Sequence, residues 1–252
     1  MNRYVVGHPQ SEAPLSLFCF HHAGAGAMTF ARWRQRLGPQ VRVLPVRLPG
    51  RETRLREARI TDGNRLMREL AEALGSLLDQ PHAFYGHSMG ALVAYRFALH
   101  RVREGHRAPD SVLVGACSPP HLPGRFTDGD ELPDQELLGL LSRCGDLPEY
   151  LVQRPERLRT LLATLRDDLQ LARSLRDGSG DALPCPLRAF AGRDDTVAPA
   201  GEMRSWDQYT TAAFELRTIA GGHFFVRGGE LSQLLASALG SGSPSRLAGL
   251  NT

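Results

Sequence analysis

A serine between two glycines, in the order Gly86-His87-Ser88-Met89-Gly90, has the plainest chemistry in this chain of 252 residues. The pattern G-x-S-x-G needs a strand before it and a helix after it. The serine then sits on a sharp strand-to-helix turn with its hydroxyl above the sheet. Both flanks are present: His82-Ala83-Phe84-Tyr85 reads as a short buried strand, and residues 91–99 (ALVAYRFAL) read as a helix. The glycines let backbone pack where a Cβ would clash. The positive end of the helix lies next to the hydroxyl. Ser88 is the candidate nucleophile.

A serine hydroxyl needs a base, and the base needs a group to orient it. On a sheet of this kind they follow the serine as carboxylate, then histidine, each on a loop after a later strand. Residues 185–191 (CPLRAFA) read as a strand leading into Gly192-Arg193-Asp194-Asp195-Thr196. Phe214 to Ile219 alternates as a further strand and opens into Ala220-Gly221-Gly222-His223-Phe224-Phe225. Of nine histidines, only His223 follows a strand and then glycines after an acidic loop. The G-x-x-D spacing from Gly192 selects Asp195 as the orienting carboxylate, with Asp194 the neighbouring candidate in a turn. Acyl transfer also needs two N–H groups aimed at the developing negative charge. Met89, directly after the serine, supplies one, and a loop after an early strand supplies the other. Leu15 to Phe20 is such a strand, and it runs into His21-His22-Ala23-Gly24-Ala25-Gly26-Ala27, whose small residues let backbone approach a carbonyl.

Strands at 15–20, 41–46, 82–85, 111–116, 185–191 and 214–219 alternate with helical stretches. One of these, 64–79, carries Leu66, Leu70, Leu74, Leu77 and Leu78 at helical spacing. The alternation predicts a single α/β domain over residues 1–252, with a mostly parallel central sheet and helices on both faces. Residues 127–181 break it. Leu137, Leu138, Leu140 and Leu141 predict one helix, and Leu158, Leu161, Leu162, Leu165, Leu169 and Leu175 predict another. Inserted between two sheet strands, they stand where an α/β hydrolase carries a helical lid, so some of these leucines are candidates to line a channel over the serine, the others packing the helices onto the domain. Residues 1–13 read as a loose lead-in, and 240–252 (from Gly-Ser-Gly-Ser-Pro-Ser) as a flexible tail.

Composition narrows the function classes. All 30 residues counted as Lys+Arg are arginine, which removes a Walker lysine, a Schiff-base lysine and a Ser-Lys dyad. A net charge of +3 is too small and dispersed for nucleic acid. No apolar run reaches a membrane span, and Met1-Asn2-Arg3-Tyr4 opens no signal core, so a cytoplasmic protein without membrane partners is expected. The four cysteines lack C-x-x-C spacing and read as reduced, mostly buried thiols. No metal-ligand cluster is visible, and a monomer is expected.

In order along the chain, these segments resemble the type II thioesterases, free-standing hydrolases that accompany polyketide synthases and nonribosomal peptide synthetases. His22-Ala23-Gly24 resembles their oxyanion loop, and Arg47-Leu48-Pro49-Gly50-Arg51 their Tyr-Pro-Gly-Arg segment. The elbow continues as Met89-Gly90-Ala91, Asp146-Leu147-Pro148 falls in the lid region, and Gly221-Gly222-His223-Phe224-Phe225 matches the histidine loop. Two positions depart: His21 stands where proline is usual, and Ala25 replaces a second glycine. The resemblance implies an α/β-hydrolase fold with Ser88 as nucleophile, Asp195 as orienter and His223 as base. It adds Ala23 to Met89 as an oxyanion donor. It implies no cofactor, because the acyl substrate arrives on the phosphopantetheine arm of an acyl or peptidyl carrier protein, and short acyl groups are the expected cargo. A serine esterase for small oxyesters, and a non-catalytic interaction protein on the same scaffold, are the rival readings. Carrier proteins are acidic, so Arg47, Arg51, Arg54, Arg56 and Arg59 are a candidate docking surface, unless pairs with Glu52 and Glu57 hold them.

Overall fold

A computed structural model describes residues 2–7, 13–124, 132–144, 153–176 and 180–240. Its centre is a six-stranded sheet: β1 (Leu15–Phe20), β2 (Val41–Pro45), β3 (His82–His87), β4 (Ser111–Gly115), β5 (Leu187–Gly192) and β6 (Phe214–Ile219). Their spatial order is β2-β1-β3-β4-β5-β6, and every neighbouring pair is parallel. Parallel strands need crossovers, and the crossover helices cover both faces, so the inner strands read as nearly unbroken apolar runs. The chain winds outward from β1 to β2, then returns to place β3 on the other side of β1. At that reversal the loops after β1 and β3 run apart and leave a crevice at the carboxyl ends of the strands. The candidate nucleophile and the candidate oxyanion loop stand on its two sides.

One face packs Phe18, Phe20, Phe84, Val112 and Val114 against α2 (Gly63–Leu74) and α3 (Met89–Arg103). Helix α2 presents Leu66, Met67, Leu70 and Leu74 to the sheet, and Asp62 caps it by accepting the Arg65 N–H at 2.6 Å. The alternate side chains Leu17, Cys19, Tyr85 and Leu113 face the other way, onto α1 (Trp33–Leu37) and, after β6, a last helix (Glu230–Gly240).

Between β4 and β5 lie α4 (Asp134–Arg143) and α5 (Pro155–Arg176). These are the two leucine-rich helices expected in the insertion. Leu137 and Leu141 of α4 and Leu162 and Leu165 of α5 make a separate apolar cluster, while Leu171, Ala172 and Leu175 of α5 join the main core. After β5 comes α6 (Ala200–Arg204), and the last helix among the described residues is α7. Asp146-Leu147-Pro148 and the tail beyond 240 lie outside the described residues.

The lead-in is less loose than expected. Tyr4 and Val5 are buried, and Val5 forms an antiparallel bridge to Val46 beside β2. Among the described residues no helix is long and apolar enough to cross a membrane.

Candidate active site

Ser88 sits between the end of β3 and the start of α3 with φ 54° and ψ −121°. A residue with a Cβ adopts that conformation only when its surroundings impose it, at a cost of about 1–3 kcal/mol. Here the Ser88 N–H donates to the Gly115 carbonyl at 2.8 Å, and the Ser88 carbonyl accepts the Ala91 N–H at 2.8 Å. The flanking glycines are required by contact. A Cβ on Gly86 would stand 1.9 Å from the Gly90 carbonyl oxygen, and one on Gly90 would stand 2.1 Å from that of Phe20. The turn therefore closes β1, β3 and α3 onto one another.

His223 Nε2 is 3.2 Å from Ser88 Oγ, and His223 Nδ1 is 2.9 Å from Asp195 Oδ2. Asp195 Oδ1 accepts the N–H groups of Val197 at 2.8 Å and Ala198 at 3.2 Å. Burial opposes the Asp195 charge, but the His223 hydrogen bond and the two N–H groups outweigh it. The carboxyl is held below the usual carboxylate range. An ionised Asp195 accepts from Nδ1–H, which leaves Nε2 as the acceptor facing the serine. Asp194, the neighbouring candidate, is exposed, and its N–H binds the Gly221 carbonyl at 3.0 Å. A Cβ on Gly192 would come within 2.6 Å of the Gly222 carbonyl oxygen, so this glycine lets the aspartate and histidine loops touch.

His87 holds His223 from behind. Its Nε2 lies 2.8 Å from the His223 carbonyl oxygen, and its Nδ1 lies 2.9 Å from the Tyr85 hydroxyl. Burial, then the charges of His223 and His22, push the His87 ring well below the ordinary imidazole range. A neutral ring accepting the Tyr85 hydroxyl at Nδ1 donates Nε2–H to the carbonyl. The alternation of β3 places Tyr85 and His87 on one face, a signal that the motif's variable x position conceals.

The loop after β1 turns tightly, with the Ala25 N–H donating to the His22 carbonyl at 3.2 Å. His21 is buried, and its Nδ1 lies 2.9 Å from that same carbonyl oxygen, so an imidazole does the local bonding where proline is usual. Gly24 has φ 76° and needs glycine, whereas Ala25 is not among the positive-φ residues, and a methyl group is tolerated there. The Gly24 N–H donates to Asp168 Oδ2 at 2.8 Å, and the Ala25 carbonyl accepts from Arg51 Nη1 at 2.9 Å. None of these bonds uses the Ala23 N–H. The Met89 N–H opens α3, where the first N–H groups have no intrahelical acceptor. Ala23, Ser88 and Met89 line a common cavity of ≈ 60 Å³, with Leu92, Val197 and, from α5, Leu169 and Ala172. Cys117 also borders it as a buried thiol; Cys19 and Cys185 are buried elsewhere.

The arginine docking surface is not what the sequence suggested. Arg51 and Arg54 are buried. Arg51 pairs with Asp168 at 2.8 Å. Arg54 pairs with Glu57 at 2.7 Å, donates to the Arg47 carbonyl at 3.0 Å and lies 4.1 Å over the Tyr4 ring. Arg59 pairs with Asp167 of α5. Glu52 accepts the Met28 N–H at 3.0 Å, and of the five arginines only Arg56 is exposed. Three of these side chains, Arg51, Arg54 and Arg59, therefore stitch chain segments together, because burial favours a guanidinium only where carboxylates and carbonyls meet its donors.

Comparison with known proteins places the chain in a family. The thioesterase domain family matches residues 15–239. The RedJ thioesterase of the prodiginine biosynthetic pathway in Streptomyces coelicolor superposes with a TM-score of 0.83 at 35% identity, covering 93% of this chain and 92% of RedJ. The type II thioesterase BorB from the borrelidin biosynthetic cluster gives 0.79 at 31%, covering 94% and 97%. LgrE of Brevibacillus parabrevis is 36% identical over 229 residues, 90% of this chain and 87% of LgrE, and bears the name linear gramicidin dehydrogenase. In this chain the loop after β1 reads Gly24-Ala25-Gly26-Ala27-Met28-Thr29, without the third glycine of a dinucleotide fingerprint. With a strained serine on an elbow, a histidine and aspartate aligned behind it, and close matches over nearly its whole length, the chain belongs to the thioesterase domain family, among the type II thioesterases.

Proposed function

We propose that this protein hydrolyses short acyl thioesters from the phosphopantetheine arm of acyl or peptidyl carrier proteins, with Ser88, His223 and Asp195 as its triad. The observation behind this reading is the continuous Ser88–His223–Asp195 hydrogen-bond relay, which opens into a small, mostly apolar cavity. His223 Nε2 takes the Ser88 proton as Oγ attacks the thioester carbonyl, and the Ala23 and Met89 N–H groups receive the oxyanion. Collapse breaks the C–S bond and expels the pantetheine thiolate, which His223 reprotonates. Water, deprotonated by the same nitrogen, then attacks the Ser88 ester; the free acid leaves and the serine regains its proton. The apolar lining of Leu92, Val197, Leu169 and Ala172 suits the carbon chain of an acyl group. RedJ and BorB are named for biosynthetic pathways, which supports a role in clearing carriers that hold aberrant short acyl groups.

The test is a panel of acetyl, propionyl, butyryl, hexanoyl and octanoyl groups on a carrier protein, on pantetheine and as matched oxyesters. The expected order is carrier thioester above pantetheine thioester, both well above oxyester, with turnover falling beyond four carbons. Equal or better turnover of the oxyesters would make the protein a general serine esterase instead.

A further inference from the structure

Helix α5 reaches the loop that carries Ala23, and it does so through a carboxylate. Asp168 lies on the α5 face otherwise buried through Leu165, Leu171 and Ala172, and is itself 1% exposed. Its oxygens take the Arg51 fork, Oδ1 from Nη2 at 2.8 Å and Oδ2 from Nη1 at 2.9 Å. The same Oδ2 accepts the Gly24 N–H at 2.8 Å, and the same Nη1 donates to the Ala25 carbonyl at 2.9 Å. One ion pair thus grips the main chain by an N–H and by a C=O on the two residues that follow Ala23. Packing reinforces the grip. The site of a Cβ on Gly24 is 3.5 Å from Leu161 and 3.7 Å from Leu165, both on α5.

Burying a salt bridge adds little net stability, because desolvation offsets the attraction, and an apolar pair often does as well. What an apolar pair lacks is an acceptor for Gly24 N–H and a donor for Ala25 O. We propose that Arg51 and Asp168 are positioning residues for the reaction: together they fix the peptide next to the Ala23 N–H, so that this oxyanion donor is in place only while α5 is seated on the loop. This rests on reading Ala23 as an oxyanion donor. Since α5 also lines the acyl cavity through Leu169 and Ala172, the helix that meets the acyl group is the one that holds the donor.

The decisive variant is the double replacement Arg51→Met with Asp168→Leu, accompanied by Asp168→Asn and Arg51→Lys. Each is assayed for thermal midpoint and for kcat and KM on acetyl-pantetheine. Inhibition is measured with two probes, the matching trifluoromethyl ketone, which forms the oxyanion with Ser88, and the matching amide, which does not. Losing one oxyanion donor outright costs about 10²–10³ in kcat. Displacing one is expected to cost about 10–100-fold, with KM and amide affinity within about threefold and ketone affinity falling in parallel with kcat/KM. A folded double variant with wild-type kcat and ketone affinity overturns the inference. If the double variant does not fold, the two single variants decide by the same ketone-to-amide ratio, and an unchanged ratio overturns it equally. Ser88→Ala separates the two levels. Retained turnover in that variant would sink the proposed function itself, whereas a dead Ser88→Ala beside a fully active double variant removes only the positioning role.

Discussion

Replacing Asp195 with Asn tests how the site sets the proton on His223. In the native site Oδ1 is committed to the Val197 and Ala198 N–H groups at 2.8 and 3.2 Å, and Oδ2 faces His223 Nδ1 at 2.9 Å. An asparagine must keep its carbonyl oxygen toward the two N–H donors, because its amide nitrogen cannot accept from them. That turns the NH₂ group toward His223 Nδ1, which must then accept. The ring proton moves to Nε2, the atom 3.2 Å from Ser88 Oγ, and the base is lost. The same change in a protease triad costs about 10⁴ in kcat. A thiolate leaves with less help from an acid than an amine does, so the loss expected here is about 10³–10⁴, or roughly 4–5.5 kcal/mol of transition-state stabilisation. The backbone bonds survive, so the thermal midpoint should change little. Acetyl-pantetheine hydrolysis followed by thiol release reads the effect, with Asp194→Asn as the exposed control. Asp195→Asn within tenfold of wild type, or an Asp194→Asn variant equally slow, would refute the reasoning.

Other outcomes follow from the same geometry. Gly90→Ala replaces a poor helix former with the best one, yet its Cβ meets the Phe20 carbonyl at 2.1 Å; loss of soluble protein or of fluorophosphonate labelling is expected, and a stable, labelled variant would contradict it. His21 and His87 are both pushed well below the ordinary imidazole range, chiefly by burial. The unfolded chain therefore binds more protons than the folded one below about pH 6.5. Stability measured by urea unfolding should hold steady above that pH and fall below it by about 1.4 kcal/mol per pH unit for each ring, until the folded-state values are reached; a flat profile from pH 7.5 to 5 would be the contrary result. Arg54→Ala should lower the thermal midpoint by several degrees without a selective rise in KM for a carrier substrate, since its guanidinium is spent on Glu57, Arg47 and Tyr4. Arg56→Glu, at an exposed position, should leave the midpoint unchanged.

The strand at Phe214–Ile219 and helix α2 were legible because two-fold and 3.6-fold periodicities are local, and α3, buried on nearly every side, was legible from its place behind the Gly86–Gly90 motif. That Ser88, Asp195 and His223 would meet was legible because each sits at a strand end whose position the alternation reveals. The arginines were not. Arg51 meets Asp168 across 117 residues and Arg59 meets Asp167 across 108, and no local pattern announces a pairing at that separation. Asp168 did leave a trace, a carboxylate on the helical stripe of Leu161, Leu165, Ala172 and Leu175, where only a buried partner makes an acid tolerable. Tyr4 and Val5 read as a loose lead-in because a single bridge to Val46 is too short to show a strand.

The most direct measurement is intact-protein mass spectrometry after mixing the protein with acetyl-pantetheine and quenching in acid within the first turnover. The account predicts a covalent acetyl adduct that maps to the peptide containing Ser88, accumulates more in Asp195→Asn if deacylation slows further than acylation, and is absent from Ser88→Ala. Thioester turnover without any adduct, and undiminished in Ser88→Ala, would contradict it.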